Sequence, residues 1–177
     1  RIYVLVIRLI VDNLYVQDGL VRFATEKYTI KSLKRRFIHL TNYSVNKRAE
    51  NFVQNRDGDQ HIDESQEAPQ PSKWSLKQLK DHLAEHGHKW VDVEEDIRDV
   101  IIKTIISVEG TINNQINNYC DYKNPCFELY GFDVFLDNEL KPWIIEVNVC
   151  PSLSSSSPFD KKIKSKLICD TLTLVGL

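Results

Sequence analysis

Two apolar runs, Cys126–Leu136 and Leu140–Cys150, joined only by Asp137-Asn138-Glu139, constrain this chain more than any other feature. Each is rich in β-branched and aromatic residues, and the link is short and polar, so the pair predicts an antiparallel hairpin. Side chains alternate in direction along a strand. Glu146 and Asn148 therefore share a face, and Asp133 on the partner strand can reach it. An ionised carboxylate in so apolar a stretch costs several kcal/mol unless it is paired or bound to metal. Two carboxylates and an amide oxygen are hard oxygen donors. They suit Mg²⁺, which takes few protein ligands and fills its shell with water and phosphate. On spacing alone, the same acids serve equally well as ion-pair partners for Lys141 or for arginines elsewhere.

The rest of the chain supplies strands before this hairpin and helices around it. Ile2–Ile7 is a β-branched run and reads as a buried strand. Leu14–Val16 and Leu20–Ala24 flank Gln17-Asp18-Gly19, where the Asp-Gly pair is a turn signal for a hairpin. Phe37–Leu40 reads as one more short strand. From Arg48 to Ser72 the chain turns polar and reads as a mobile loop; its Asp57-Gly58-Asp59 lacks the glycine placement and the closing Glu of a calcium loop. Ser75 with Gln78 forms a capping box for a helix striped by Leu76, Leu79 and Leu83 and stopped at Gly87. Asp92 with Glu95 opens a second helix, with Ile97, Val100, Ile101, Ile105 and Val108 as its buried face. After the serine-rich loop Pro151–Pro158, Asp160 caps a last helix with Ile163, Leu167, Leu174 and Val175 on its apolar side. The order predicts an α+β (α/β-like) fold, a mixed or antiparallel sheet with packed helices.

Bulk properties narrow the function classes. A net charge of -2 over 177 residues gives no argument for nucleic acid or an anionic membrane, so any acidic partner must meet local basic residues. No apolar run approaches transmembrane length. Cys120, Cys126, Cys150 and Cys169 are too sparse for a disulfide scaffold and read as free thiols, although the first two are spaced to bridge a loop. His82, His86 and His88 lie near a helix end among Lys80, Asp81, Glu85 and Lys89, which reads as a solvated polar face rather than a zinc site. The chain opens inside a strand and contains no methionine, which reads as a fragment whose earlier portion is missing.

Longer motifs sharpen this picture. Cys126-Phe127-Glu128-Leu129-Tyr130-Gly131-Phe132-Asp133-Val134 and Leu140-Lys141-Pro142-Trp143-Ile144-Ile145-Glu146-Val147-Asn148, followed by Pro151-Ser152-Leu153, resemble the signature hairpin of the tubulin tyrosine ligase-like family. His39-Leu40-Thr41-Asn42-Tyr43-Ser44-Val45-Asn46-Lys47 resembles a second motif of that family. Arg1–Val6, Lys73–Leu76 and Ile101–Ile106 are similar to three more, and all stand in the family's order. The resemblance implies the C-terminal part (residues 1–177) of an ATP-grasp-type catalytic domain. It also implies an ATP-dependent ligase that makes an amide through an acylphosphate. Carried over by motif, Asp133, Glu146 and Asn148 hold Mg²⁺ at the ATP phosphates. His39, Leu40, Thr41, Asn42 and Ile145 line the nucleotide, and Arg1 and Arg22 face the reacting phosphate or the incoming carboxylate.

The wording of Cys126–Val134 and Lys103–Ser107 is closest to polyglutamylating members, which implies free L-glutamate as co-substrate and the acidic tails of tubulin in microtubules as acceptor. The setting would be the cytoplasm and cytoskeleton, including the cilium or basal body. Glycine or tyrosine transfer, or a non-catalytic microtubule-binding module, are the alternatives; the last would be marked by loss of the acidic ligands. Lys31, Lys34, Arg35, Arg36, Lys47 and Arg48 are candidates to meet the acidic tail, or form a solvated charged loop. Two departures stand out: Cys150 replaces the usual serine before Pro151-Ser152-Leu153, and Arg8–Asp12 is less polar than in relatives. The family's lysines and adenine-binding strands lie in its earlier half, so this stretch by itself is expected to be inactive and to bind ATP weakly.

Overall fold

A computed structural model describes residues 1–7, 14–54, 71–120 and 126–177. Arg8–Asp12 and Asp57–Asp59 lie outside the described residues, as does most of the expected polar loop. The ends of that loop meet, with Ser72 N–H donating to Val53 O at 3.2 Å.

The elements are β1 (Ile2–Ile7), β2 (Leu14–Arg22), α1 (Arg36–His39), α2 (Tyr43–Asn46), β3 (Lys73–Ser75), α3 (Leu76–Glu85), α4 (Trp90–Tyr119), β4 (Phe127–Leu136), β5 (Pro142–Val149) and α5 (Pro158–Val175). They form an α+β fold around one five-stranded sheet of order β3-β2-β1-β4-β5, antiparallel at every pairing. The central strand β1 is buried on both faces, as its β-branched run predicts. Ile2, Val4, Val6 and Phe132 pack with Leu83, Val93, Ile97 and Ile101 from α3 and α4. By alternation Tyr3 and Leu5 face the opposite side, where α5 packs on β1 and β2 and buries Ile163 and Leu167. Among the described residues no helix is long and apolar enough to cross a membrane.

Several local expectations hold. Ser75 accepts from Gln78 N–H at 3.1 Å while the Gln78 side chain caps Ser75 N–H at 2.8 Å, and Gly87 follows α3 at φ +80. Others are corrected. Phe37–Leu40 is not a strand: Arg36–His39 makes one helical turn, with Leu40 N–H bonded to Arg36 O. An apolar run of four carries too little periodicity to choose between the two. Val108 is exposed, because α4 at 30 residues spans about 45 Å and outruns strands of 6 to 10 residues. In α5 the cap is Ser157, whose Oγ accepts from Asp160 N–H; Leu174 is exposed, and Thr171 completes the stripe of Asp160, Ile163 and Leu167.

The expected Asp18-Gly19 turn is also absent. β2 runs through it, and the β1–β2 register carries one extra residue on β2 between the Ile2–Gly19 and Val4–Val16 pairs. Gly19 is there for a close approach instead: a Cβ on it would lie 2.4 Å from Arg1 O. Gly110, mid-way along α4, has open space around it. Gly19→Ala should therefore lower stability by about 2 kcal/mol in urea unfolding, whereas Gly110→Ala should be neutral or raise it by up to about 1 kcal/mol.

Candidate functional site

The hairpin is built from its turn outward. Asp137 accepts backbone N–H bonds from Glu139 (2.9 Å) and Lys141 (3.0 Å), and the indole N–H of Trp143 at 2.8 Å. Leu140 takes the left-handed conformation at φ 62 that closes the turn. The ladder then pairs Phe135 with Trp143 and Val134 with Ile144, skips Ile145, and resumes with Asp133 opposite Glu146 and Gly131 opposite Asn148. Ile145 is thus the extra residue of a β-bulge and is 67% exposed. The bulge lets Ile144 pack against the core while Glu146 and Asn148 face the side of Asp133.

Strand β1 brings Arg1 to this face. Its guanidinium grips Asp133 with both prongs, Nε to Oδ1 at 2.5 Å and Nη2 to Oδ2 at 2.7 Å, and stands 3.9 Å from Glu146 Oε1. Asn148 Nδ2 donates to Glu146 Oε1 at 3.0 Å and to Gly131 O at 3.3 Å. Burial disfavours the Asp133 carboxylate, but the paired hydrogen bonds and charge of Arg1 outweigh it and hold its pKa at about 2. Arg1 lies directly over Gly131, where a Cβ would be 3.1 Å from Arg1 Cδ and 2.8 Å from Pro151 Cβ. Cys150 makes the preceding bend at φ 59, a conformation costing a non-glycine residue roughly 1 kcal/mol. Asp133 is half-buried, whereas Glu146 is exposed despite its apolar sequence neighbours.

A second ionic centre lies on the α5 side and was not anticipated from the sequence. Lys73, opposite Arg22 in the β2–β3 register, donates from Nζ to Asp160 Oδ2 at 2.6 Å and to Ser156 Oγ at 3.0 Å. Ser156 N–H and Oγ–H also donate to Asp160 Oδ2. Burial opposes the Asp160 charge, but Lys73 and Ser156 lower its pKa on balance. Lys164 donates to Ser154 O; burial lowers its pKa, with the charges of Lys73, Arg22 and Arg1 adding to that lowering against Asp160. Arg22 itself is half-buried and has no hydrogen-bond or ion-pair partner among the described residues.

The His39–Asn42 segment is held separately. His39 Nε2 contacts Ser32 O at 2.9 Å and its ring packs edge-on against Tyr28. Leu40, Thr41 and Asn42 are exposed. Among the described residues no hydrogen bond joins this segment to the carboxylates. Its organiser is Asn46, buried to 2%, which sequence reasoning quoted within the motif but did not single out. Asn46 Oδ1 accepts from Thr25 N–H at 3.0 Å and from the Thr25 hydroxyl, while Nδ2 donates to Leu40 O (2.6 Å) and Asn42 O (3.1 Å). The histidine run makes no metal cluster: His82 and His86 stack at 4.2 Å, and no group of three or more His, Cys, Asp or Glu gathers among the described residues.

An antiparallel sheet clad by helices, with an arginine-clamped carboxylate row on its signature hairpin, defines the class to which this chain is assigned. The chain belongs to the tubulin-tyrosine ligase family, whose model matches residues 1–176. It is 45% identical over 179 residues to tubulin monoglutamylase TTLL4 of Mus musculus, covering 99% of this chain and 14% of that protein. It is 41% identical over 180 residues to tubulin polyglutamylase TTLL5 of Homo sapiens, covering 99% and 13%. Tubulin polyglutamylase ttll-4 of Caenorhabditis elegans is 38% identical over 168 residues, covering 93% of this chain and 26% of the relative. The chain thus spans about a seventh of the length of the first two relatives.

The Lys73–Asp160 pair is buried at both ends, with side-chain exposures of 10% and 2%. Asp160→Asn removes a buried counter-charge from the Lys73 ammonium and should cost about 3 kcal/mol at neutral pH. Because the folded-state pKa of Asp160 is depressed, its stabilisation is present above the ordinary value of 3.8 and is lost as pH falls below it. Urea titrations from about pH 7 to pH 3 should show the gap between wild type and variant closing only at the acid end.

Proposed function

We propose that the protein is an ATP-dependent carboxylate–amine ligase that adds glutamate to glutamate side chains in the C-terminal tails of tubulin, with residues 1–177 forming the C-terminal part of the catalytic domain. The observation that carries this reading is the row Arg1, Asp133, Glu146 and Asn148 on one sheet face, inside the region matched by the family model.

The donor set fits Mg²⁺. Asp133 is anionic throughout the physiological range, Glu146 is exposed and can reach a ligand, and Asn148 turns its amide nitrogen towards Glu146 and Gly131. When bound, Mg²⁺ would neutralise phosphate charge. Two carboxylates would leave the rest of the shell to water and ATP phosphates.

The chain's own residues then bind and orient. Arg22, half-buried and without an internal partner among the described residues, would take a phosphate or carboxylate oxyanion with its planar fork. Arg1 keeps Asp133 ionised and in place, and stands beside Glu146 at the same face. The His39–Asn42 segment and the bulged Ile145 would border the nucleotide. In the reaction the acceptor carboxylate oxygen takes the γ-phosphoryl group of ATP, whose bond to ADP breaks, to give an acylphosphate; the amine of glutamate attacks the carbonyl carbon, the amide C–N bond forms, the C–O bond to phosphate breaks, and phosphate and the amine proton leave. No nucleophile from the protein is needed, so the exposed Cys150 is a bend residue and not a catalytic thiol. Exposed Lys31, Lys34, Arg35, Arg36, Lys47 and Arg48 would meet the acidic tail. The setting is the cytoplasmic cytoskeleton, with the cilium or basal body as a narrower proposal.

Glycine or tyrosine ligation would use the same machinery; glutamate is favoured because the relatives are named as tubulin mono- and polyglutamylases. A non-catalytic module is disfavoured by retention of both carboxylates. With the full-length protein, ATP, Mg²⁺ and microtubules, labelled Glu should be incorporated while labelled Gly and Tyr, offered separately, should not. Glu146→Gln should lower incorporation on the order of 100-fold or more. Incorporation that survives this substitution would sink the reading, and transfer of Gly or Tyr alone would reassign the amino acid.

A further inference from the structure

The Cys120 and Cys126 thiols lie 3.7 Å apart, Sγ to Sγ, both half-buried, at the end of α4 and the start of β4. We propose that they form a thiol-modification site, a dithiol that a small-molecule disulfide such as oxidised glutathione converts to an intramolecular disulfide.

Three observations carry this. The sulfurs are already in contact, and a bond requires them to close from 3.7 Å to about 2.05 Å. Both residues sit at element ends, where a small shift costs little: Cys120 is the extended C-cap of α4, and Cys126 immediately precedes β4. The other two thiols provide an internal comparison. Cys150 and Cys169 are more exposed, yet among the described residues no second sulfur contacts either. They should stop at mixed disulfides, whereas the Cys120–Cys126 pair should go on to a bridge.

The chemistry balances within the pair and the oxidant. One cysteine thiolate attacks a sulfur of glutathione disulfide, forming a protein–glutathione disulfide and releasing one glutathione thiolate. The neighbouring thiolate then attacks the protein sulfur, closing the bridge and expelling the second glutathione. The two cysteines lose two electrons, glutathione disulfide gains them, and the two thiol protons end on the two released glutathiones. The bridge would tie the end of α4 to the strand that carries Asp133, so the modification acts on the support of the site and not on its ligands.

The test equilibrates this polypeptide in glutathione buffers of graded oxidised-to-reduced ratio, quenches in acid, blocks free thiols and reads peptides by mass spectrometry. Cleavage after Glu109, Lys123 and Glu128 isolates each of the two cysteines on its own peptide. The expected result is a Cys120–Cys126 bridge at ratios where Cys150 and Cys169 carry only glutathione adducts. Cys120→Ser should leave Cys126 as a glutathione adduct and abolish the bridge, and Cys126→Ser should do the converse. Bridging in the folded chain should need at least about tenfold less oxidant than in concentrated urea, because the fold holds the thiols together. Separate adducts on both cysteines at every ratio, a bridge mainly to Cys150 or Cys169, or equal bridging with and without urea would each overturn the proposal.

Discussion

The two-pronged ion pair between Arg1 and Asp133 is the contact on which the site depends. It spans the two strands at the centre of the sheet, and three other features follow from it. Gly131 is left little room for a Cβ, which would lie 2.8 Å from Pro151 Cβ and 3.1 Å from the Arg1 side chain, and Gly19 must lack one because it would lie 2.4 Å from the Arg1 carbonyl oxygen. Asp133 stays ionised despite partial burial because Arg1 answers its charge. Side-chain exposure rises along the row, from 8% at Arg1 through 23% at Asp133 to 59% at Glu146. The inner end of the row is thus fixed by a partly buried, two-pronged, charge-assisted pair. The outer end stays wet and free to rearrange around a ligand.

The bulge at Ile145 solves a problem of alternation. Without it, Ile144 and Glu146 would share a face, and either the isoleucine would leave the core or the glutamate would enter it. One extra residue separates their destinations and leaves Ile145 outside the pairing, 67% exposed at the rim of the site. The same device recurs on β2 opposite β1, so both strands adjoining the central pair of β1 and β4 carry a register break near the Arg1–Asp133 row.

The parts of this fold legible in the sequence are those governed by local rules. The capping box at Ser75, the glycine stop at Gly87, the buried run of β1 and the β4–β5 hairpin each follow from a pattern a few residues long. The misread parts are those where a partner distant in sequence decides. The Asp18-Gly19 pair looks like a turn, but Gly19 answers to the Arg1 carbonyl. Asp160 looks like a helix cap, but its carboxylate turns to Lys73, 87 residues away. Asn46 lay inside a motif, yet its burial and its four hydrogen bonds arise from folding the segment after β2 back onto the His39–Asn42 loop. Nothing local distinguishes such an asparagine from a solvated one. The grouping of Asp133, Glu146 and Asn148 was legible because strand periodicity and hairpin pairing together fix which side chains share a face, whereas Arg1 was indicated only by the family resemblance.

The α5 side of the sheet gathers several cations. The net charge of the chain is -2, yet Arg1, Arg22 and Lys73 all lie close enough to Lys164 to lower its pKa. Arg1 is neutralised by Asp133 and Lys73 by Asp160, each through a short, directed pair. Lys164 rests against a backbone carbonyl, and its ammonium is disfavoured by burial and by its cationic neighbours. Arg22 is half-buried, and among the described residues no acid pairs with it. A cation left in that state is costly in the folded chain alone and favourable once an anion arrives, since Coulomb attraction grows as water is excluded. Among the described residues this leaves Arg22 as the cation of the group without a directed hydrogen-bond or ion-pair partner, on the sheet face that also carries Asp133 and Glu146.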